Sequence, residues 1–175
     1  MPENETQPVS LVRAKLGPMP PQMKEFDFII GDWDVSIRYY SPDGTVQSEE
    51  KAKWHGEHRN GGRMVLDEFT RVDPDGTETS CAITLRTFCP DLDEWEMTFL
   101  FSQQPGIPQS FRGKFTDGVG CFDTVISLSE ETSMVARIYF HDIKPDSFEW
   151  KMEQSLDGGK SWIHRQSSSI KRRPE

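Results

Sequence analysis

After Gly31 the apolar residues of this chain recur at every second position: Trp33, Val35, Ile37 and Tyr39 alternate with Asp34, Ser36 and Arg38. A period of two sends successive side chains to opposite faces of an extended backbone, so it predicts strands with one buried face. The same alternation returns at Ala52/Trp54, Met64/Leu66, Cys81/Ile83/Leu85, Trp95/Met97/Phe99/Phe101, Phe122/Thr124/Ile126/Leu128, Met134/Ala136/Ile138/Phe140 and Phe148/Trp150/Met152. Turn chemistry separates these runs. Ser41-Pro42-Asp43-Gly44, Asp73-Pro74-Asp75-Gly76, Thr116-Asp117-Gly118 and Asp157-Gly158-Gly159 combine a proline or aspartate with a glycine that accepts a positive φ. The spacing predicts roughly ten antiparallel strands in a meander. No segment of the body keeps a helical period, which excludes a βαβ or dinucleotide-binding layout.

Many short strands leave adhesive edges unless the sheet closes on itself. The expected fold is therefore all-β, a roughly ten-stranded antiparallel up-and-down barrel, with a two-sheet sandwich as the alternative. A barrel of ~8–10 strands has an interior that holds side chains or one small ligand. Ahead of it, Pro2, Pro8, Pro18, Pro20 and Pro21 prevent a regular element, so residues 1–22 read as a flexible leader and residues 23–173 as a single barrel domain. Gln22–Phe26 follow two prolines and predict one helical turn with Met23 and Phe26 on one face, placed to plug one end of the barrel.

Charge and cysteine usage exclude several classes of function. With 29 acidic against 20 basic residues the net charge is −9, which opposes binding to nucleic acid or an anionic membrane. Cys81, Cys89 and Cys121 are an odd number without a C-x-x-C pair, so neither a disulfide framework nor a thiolate metal site is expected. No signal peptide and no run of ~18 apolar residues is present, which leads to the expectation of a soluble cytoplasmic protein. Nucleotide-binding, nucleophile-elbow and H-E-x-x-H motifs are absent from the sequence.

Three segments carry a resemblance: Phe26-Asp27-Phe28-Ile29-Ile30-Gly31-Asp32-Trp33-Asp34-Val35, Asn60-Gly61-Gly62-Arg63-Met64-Val65-Leu66-Asp67-Glu68, and Gln154-Ser155-Leu156-Asp157-Gly158-Gly159-Lys160-Ser161-Trp162. They resemble lipocalin-like barrels of the calycin superfamily, in a bacterial branch of unknown function distantly related to the nitrobindins. The resemblance implies that Trp33 packs at the closed end beneath a basic residue of the last strand, for which Arg165, Lys171 and Arg172 are available. Such a cation–π contact is worth ~1 kcal/mol. It also raises haem as an alternative cofactor, with His164 as axial ligand. The nitrobindin opening, however, is Gly-x-Trp-x-Gly-x-Gly, and Val35 and Ile37 stand at its second and third glycines here. No cofactor is therefore expected.

The candidate site is the barrel cavity. A small, largely apolar ligand is expected to lie against Trp54, Met97, Phe99, Phe101, Trp150 and Met152, with His164 on the last strand as a polar group. The alternative is a cofactor-free isomerase, cyclase or lyase in the same cavity, for which Glu68 and His58 are the candidate acid and base. Glu68 shares a strand face with Met64 and Leu66, whereas Asp67 lies on the other with Val65 and Phe69, and the pattern leaves open which face is inside. Arg86, Tyr139 and His141 are further polar candidates. His55 and His58 make an H-x-x-H that a strand sends to opposite faces, so no metal site is expected. The partner expectation is a small apolar molecule and a possible homodimer, with neither nucleic acid nor membrane.

Overall fold

A computed structural model describes residues 17–103, 108–129 and 131–174. Most of the expected leader, residues 1–16, lies outside the described residues. The rest forms ten strands: β1 Gly31–Tyr40, β2 Val46–Arg59, β3 Met64–Val72, β4 Glu78–Cys89, β5 Glu94–Phe101, β6 Gln109–Thr116, β7 Val119–Ser127, β8 Ser133–Lys144, β9 Ser147–Ser155 and β10 Ile163–Arg172. Each pairs antiparallel with its neighbours in sequence, and β1 pairs with β10 to close the barrel. The closing register runs from Trp33 opposite Arg172 to Tyr39 opposite Gln166. The all-β, up-and-down barrel is the fold, and the sandwich alternative is not.

The helical turn is longer and tighter than the sequence suggests. A 3-10 helix spans Pro21–Ile29, and its three-residue repeat carries Met23, Phe26 and Ile29 on one buried face. It closes one end of the barrel. Phe26, fully buried, meets Trp95 edge-on at 4.8 Å, Phe115 at 5.0 Å and Phe140 at 5.5 Å between ring centroids. Polar anchors fix the helix to the wall: Trp33 Nε1 donates to the Ile29 carbonyl at 2.8 Å, and Trp95 Nε1 donates to Glu25 Oε2 at 2.9 Å.

The Gly31-x-Trp33 pair acts at this end. The Arg172 guanidinium lies 4.0 Å from the Trp33 ring centroid, so of the three basic candidates it is Arg172 that stacks there. The same group donates from Nη1 to the Ile30 carbonyl and from Nε to the Pro145 carbonyl, each at 2.9 Å. Gly31 has a φ of 110°, and a Cβ built on it would sit 2.6 Å from Arg172 Nη1. The glycine leaves the space that the arginine fills.

On β3 the structure decides between two faces that the pattern left open, and on β4 the inner face is the opposite of the one that the apolar alternation suggested. On β3 the inner residues are Val65, Asp67 and Phe69, not Met64 and Leu66; on β4 they are Ala82, Thr84 and Arg86, while Ile83 is exposed. Pairing with β2 sets this phase, since Trp54 is inside and lies opposite Phe69. Residues paired across a ladder share a face, so one strand of certain phase fixes its neighbours.

Candidate functional site

Above the aromatic plug the barrel encloses a cavity of about 500 Å³, open at the end away from the 3-10 helix. Trp54 of β2, Phe69 of β3, Phe99 and Phe101 of β5, Phe111 of β6 and Trp150 of β9 supply its aromatic wall. They reach one space because each occupies an inward position of its strand. The Phe99 and Phe101 rings lie nearly parallel, 9° between planes, with centroids 6.0 Å apart.

At the bottom of this wall sits an ion pair. Val65 pairs with Arg86 and Asp67 with Thr84, so Asp67 and Arg86 are diagonal neighbours on the inner face of β3 and β4. Arg86 Nη1 and Asp67 Oδ2 form an ion pair, and both side chains are almost fully buried. The guanidinium also lies 5.0 Å from the Phe26 ring centroid and 5.9 Å from those of Trp54 and Phe140. Aromatic faces favour the cation there. Burial pushes the Arg86 pKa down to about 9, which still leaves it charged at neutral pH. Its Nε has no hydrogen-bond partner among the described residues.

A second polar group stands in the wall nearer the mouth. Tyr39 lines the cavity beside Arg71 and Cys81, and Arg71 Nε lies 3.0 Å from Glu50 Oε2. Burial, aided by the Glu50 charge, raises the Tyr39 pKa, while the hydrogen bond with Arg71 opposes the rise. The phenol stays neutral.

Of the residues singled out from the sequence, Trp54, Phe99, Phe101, Trp150 and Met152 come together around this cavity. Met97 is fully buried between its ladder partners Arg86 and Phe111 but does not line the space. Glu68 and His58, the candidate acid and base, do not reach it. Glu68 is on the outer face of β3, opposite Ile83 and His55. His58 has inward parity, yet it lies near the end of β2, level with the plug, where it pairs at 3.0 Å with Asp27 and remains 38% exposed.

His164 is likewise outside the cavity, for a different reason. The β9–β10 ladder slips by one residue between His164, opposite Glu153, and Gln166, opposite Met152. That bulge reverses the alternation: Gln166 and Ser168 line the cavity, while His164 packs on Tyr40 at 4.5 Å between ring centroids. Partial burial lowers its pKa. No histidine is among the described residues that line the cavity. Tyr139 and His141 also lie on the outer face, beside Lys151 and Asp142. His55 hydrogen-bonds Asp32 at 2.9 Å, and no cluster of metal-ligating side chains occurs among the described residues.

Sequence reasoning named Arg86 as a polar candidate but not its partner. The available signal for Asp67 was a carboxylate sharing a strand face with Val65 and Phe69, readable only once that face was known to be inside. No helix among the described residues is long and apolar enough to cross a membrane.

No family description and no curated protein matches this sequence. Among solved structures, Rv2717c from M. tuberculosis superposes with a TM-score of 0.59 at 12% identity, over 89% of this chain and 99% of that one. The S-type phycobiliprotein lyase CPES from Guillardia theta superposes with a TM-score of 0.58 at 11% identity, over 87% and 92% of the two chains. Identities this low establish a shared fold alone, the lipocalin-like closed barrel.

Proposed function

We propose that this lipocalin-like barrel binds one small, largely apolar molecule in its cavity. The observation that carries this reading is a space of about 500 Å³ with an aromatic wall that ends on a buried ion pair instead of packed aliphatic side chains. Concave, mostly apolar sites with a few placed polar groups are the usual form of small-molecule pockets. Nile red, an apolar dye whose emission rises on leaving water, tests it directly. The parent protein should bind one equivalent and quench the fluorescence of Trp54 and Trp150. Ala82→Trp, which fills the cavity from the inner face of β4, should abolish binding while the far-ultraviolet spectrum stays that of the parent. Undiminished dye binding by that variant would sink the reading.

Cofactor-free lyase, isomerase or cyclase chemistry in the same cavity is the second reading. The fold shared with a phycobiliprotein lyase supports it at the level of architecture. Its acid–base residue would be Asp67, the carboxylate inside the cavity, in place of Glu68 and His58. The two readings separate on whether a ligand retained through purification leaves the protein chemically unchanged, as mass spectrometry of the released molecule reports.

A further inference from the structure

The polar groups of the cavity narrow the class of ligand, on the premise that the cavity binds a small molecule at all. Its charges cancel. Arg86 is neutralised by Asp67, and Arg71 by Glu50, so neither sign is left in excess along the lining. A fatty-acid carboxylate entering the floor would confront Asp67, and an amine would confront Arg86. Nearer the solvent, the remaining polar groups include four neutral amides, Gln103, Gln109, Gln154 and Gln166, each able to donate and to accept.

The floor itself is unfinished. Arg86 Nε is fully buried and has no hydrogen-bond partner, and the Asp67 carboxylate meets only the Arg86 guanidinium, among the described residues. Such groups in a folded protein call for a partner that the chain does not supply. Stability does not account for the pair, since well-packed apolar residues commonly replace a buried ion pair without loss. A donor and an acceptor side by side, below nearly parallel Phe99 and Phe101 rings and the indoles of Trp54 and Trp150, match one kind of molecular edge. We infer that the ligand is a flat, uncharged, conjugated ring compound carrying N–H next to C=O, as in a lactam or cyclic imide, its N–H donating to Asp67 and its carbonyl accepting from Arg86.

Four probes of similar size test this: 2-quinolone, N-methyl-2-quinolone, naphthalene and 2-naphthoate, titrated against the parent protein by tryptophan quenching and calorimetry. The parent should bind 2-quinolone roughly tenfold or more tighter than the other three, the difference expected from one or two buried hydrogen bonds. Asp67→Leu/Arg86→Met, which removes donor and acceptor together, should lose the preference for 2-quinolone over naphthalene. Equal binding of all four probes by the parent, or tightest binding of 2-naphthoate, overturns the inference and leaves the ligand-binding reading intact. Retention of the preference by the double variant overturns it too. Failure of every probe and of Nile red removes both. The parent's ranking of the probes decides the matter even if the double variant does not fold.

Discussion

Gly56 shows how single residues set the geometry of the closed end. It lies in an unbroken stretch of the β1–β2 and β2–β3 ladders, opposite Gly31 and Asp67, and its φ needs no special freedom. What it supplies is space, because a Cβ there would overlap the Ile29 carbonyl oxygen where the 3-10 helix meets the wall. Backbone cannot yield as a flexible side chain can. Gly56→Ala should therefore cost about 1–3 kcal/mol of unfolding free energy, measured by urea denaturation. Gly61, by contrast, has no atom within 4 Å of a built Cβ; its substitution strains the backbone through a φ of 64° and not through a clash. Gly31 and Trp33 were legible as a pair from sequence because both serve one contact at a fixed spacing. Gly56 was not, since its neighbour Ile29 comes from another element.

At the scale of elements, the plug and the last hairpin depend on different physics. The 3-10 helix is held by the side chains it buries, with Phe26 at the centre of an aromatic cluster. Phe26→Ala should lower the unfolding free energy by about 3–5 kcal/mol, read from the shift in denaturation midpoint at unchanged slope. The β9–β10 connection is instead held by one carboxylate. Asp157 accepts from the Lys160 and Ser161 amides at 3.0 and 2.9 Å and from the Ser161 and Ser155 hydroxyls at 2.6 and 2.7 Å. These donors, the Ser161 hydroxyl first, hold its pKa well below the usual carboxylate range. A lowered folded pKa means the stabilisation is complete above the unfolded value of about 4 and is lost as pH falls toward the folded one. Thermal melts of the parent and Asp157→Asn should differ most at neutral pH and converge on acidification from about pH 5 downward. An unchanged gap at low pH would remove the carboxylate from this role. The turn itself was readable from Asp157-Gly158-Gly159, but the bulge that turns His164 outward was not, because it depends on the register of β10 against β9.

The whole molecule is a closed ladder with a plug below and a cavity above. Closure pairs β1 with β10, which stand more than a hundred residues apart, so the barrel and its cavity form together. A ligand held in that cavity binds the folded state alone and stabilises all of it. At one hundred times its dissociation constant, a bound probe such as 2-quinolone should add about 2.7 kcal/mol to the unfolding free energy. For a domain of this size that is an upward shift in Tm of roughly 5–10 °C, checked by calorimetry with and without the probe. A parent protein whose Tm ignores a saturating probe does not hold it inside the barrel.

Alternation, turn chemistry and the Gly31-x-Trp33 opening are local properties of the chain, and they were enough to determine an antiparallel barrel of about ten strands with a helical plug. They also identified five of the aromatic and methionine side chains that line the cavity, because strands β2, β5 and β9 have one plainly apolar face. Strand β3 is apolar on both faces, and on β4 the more apolar face is the outer one, so sequence periodicity could not say that Asp67 and Arg86 point inward. Only ladder pairing across β2, β3 and β4 decides that, since facing residues must share a side of the sheet. The tertiary structure alone thus placed the charged floor, turned Glu68, His58 and His164 away from it, and closed the space that a ligand would fill.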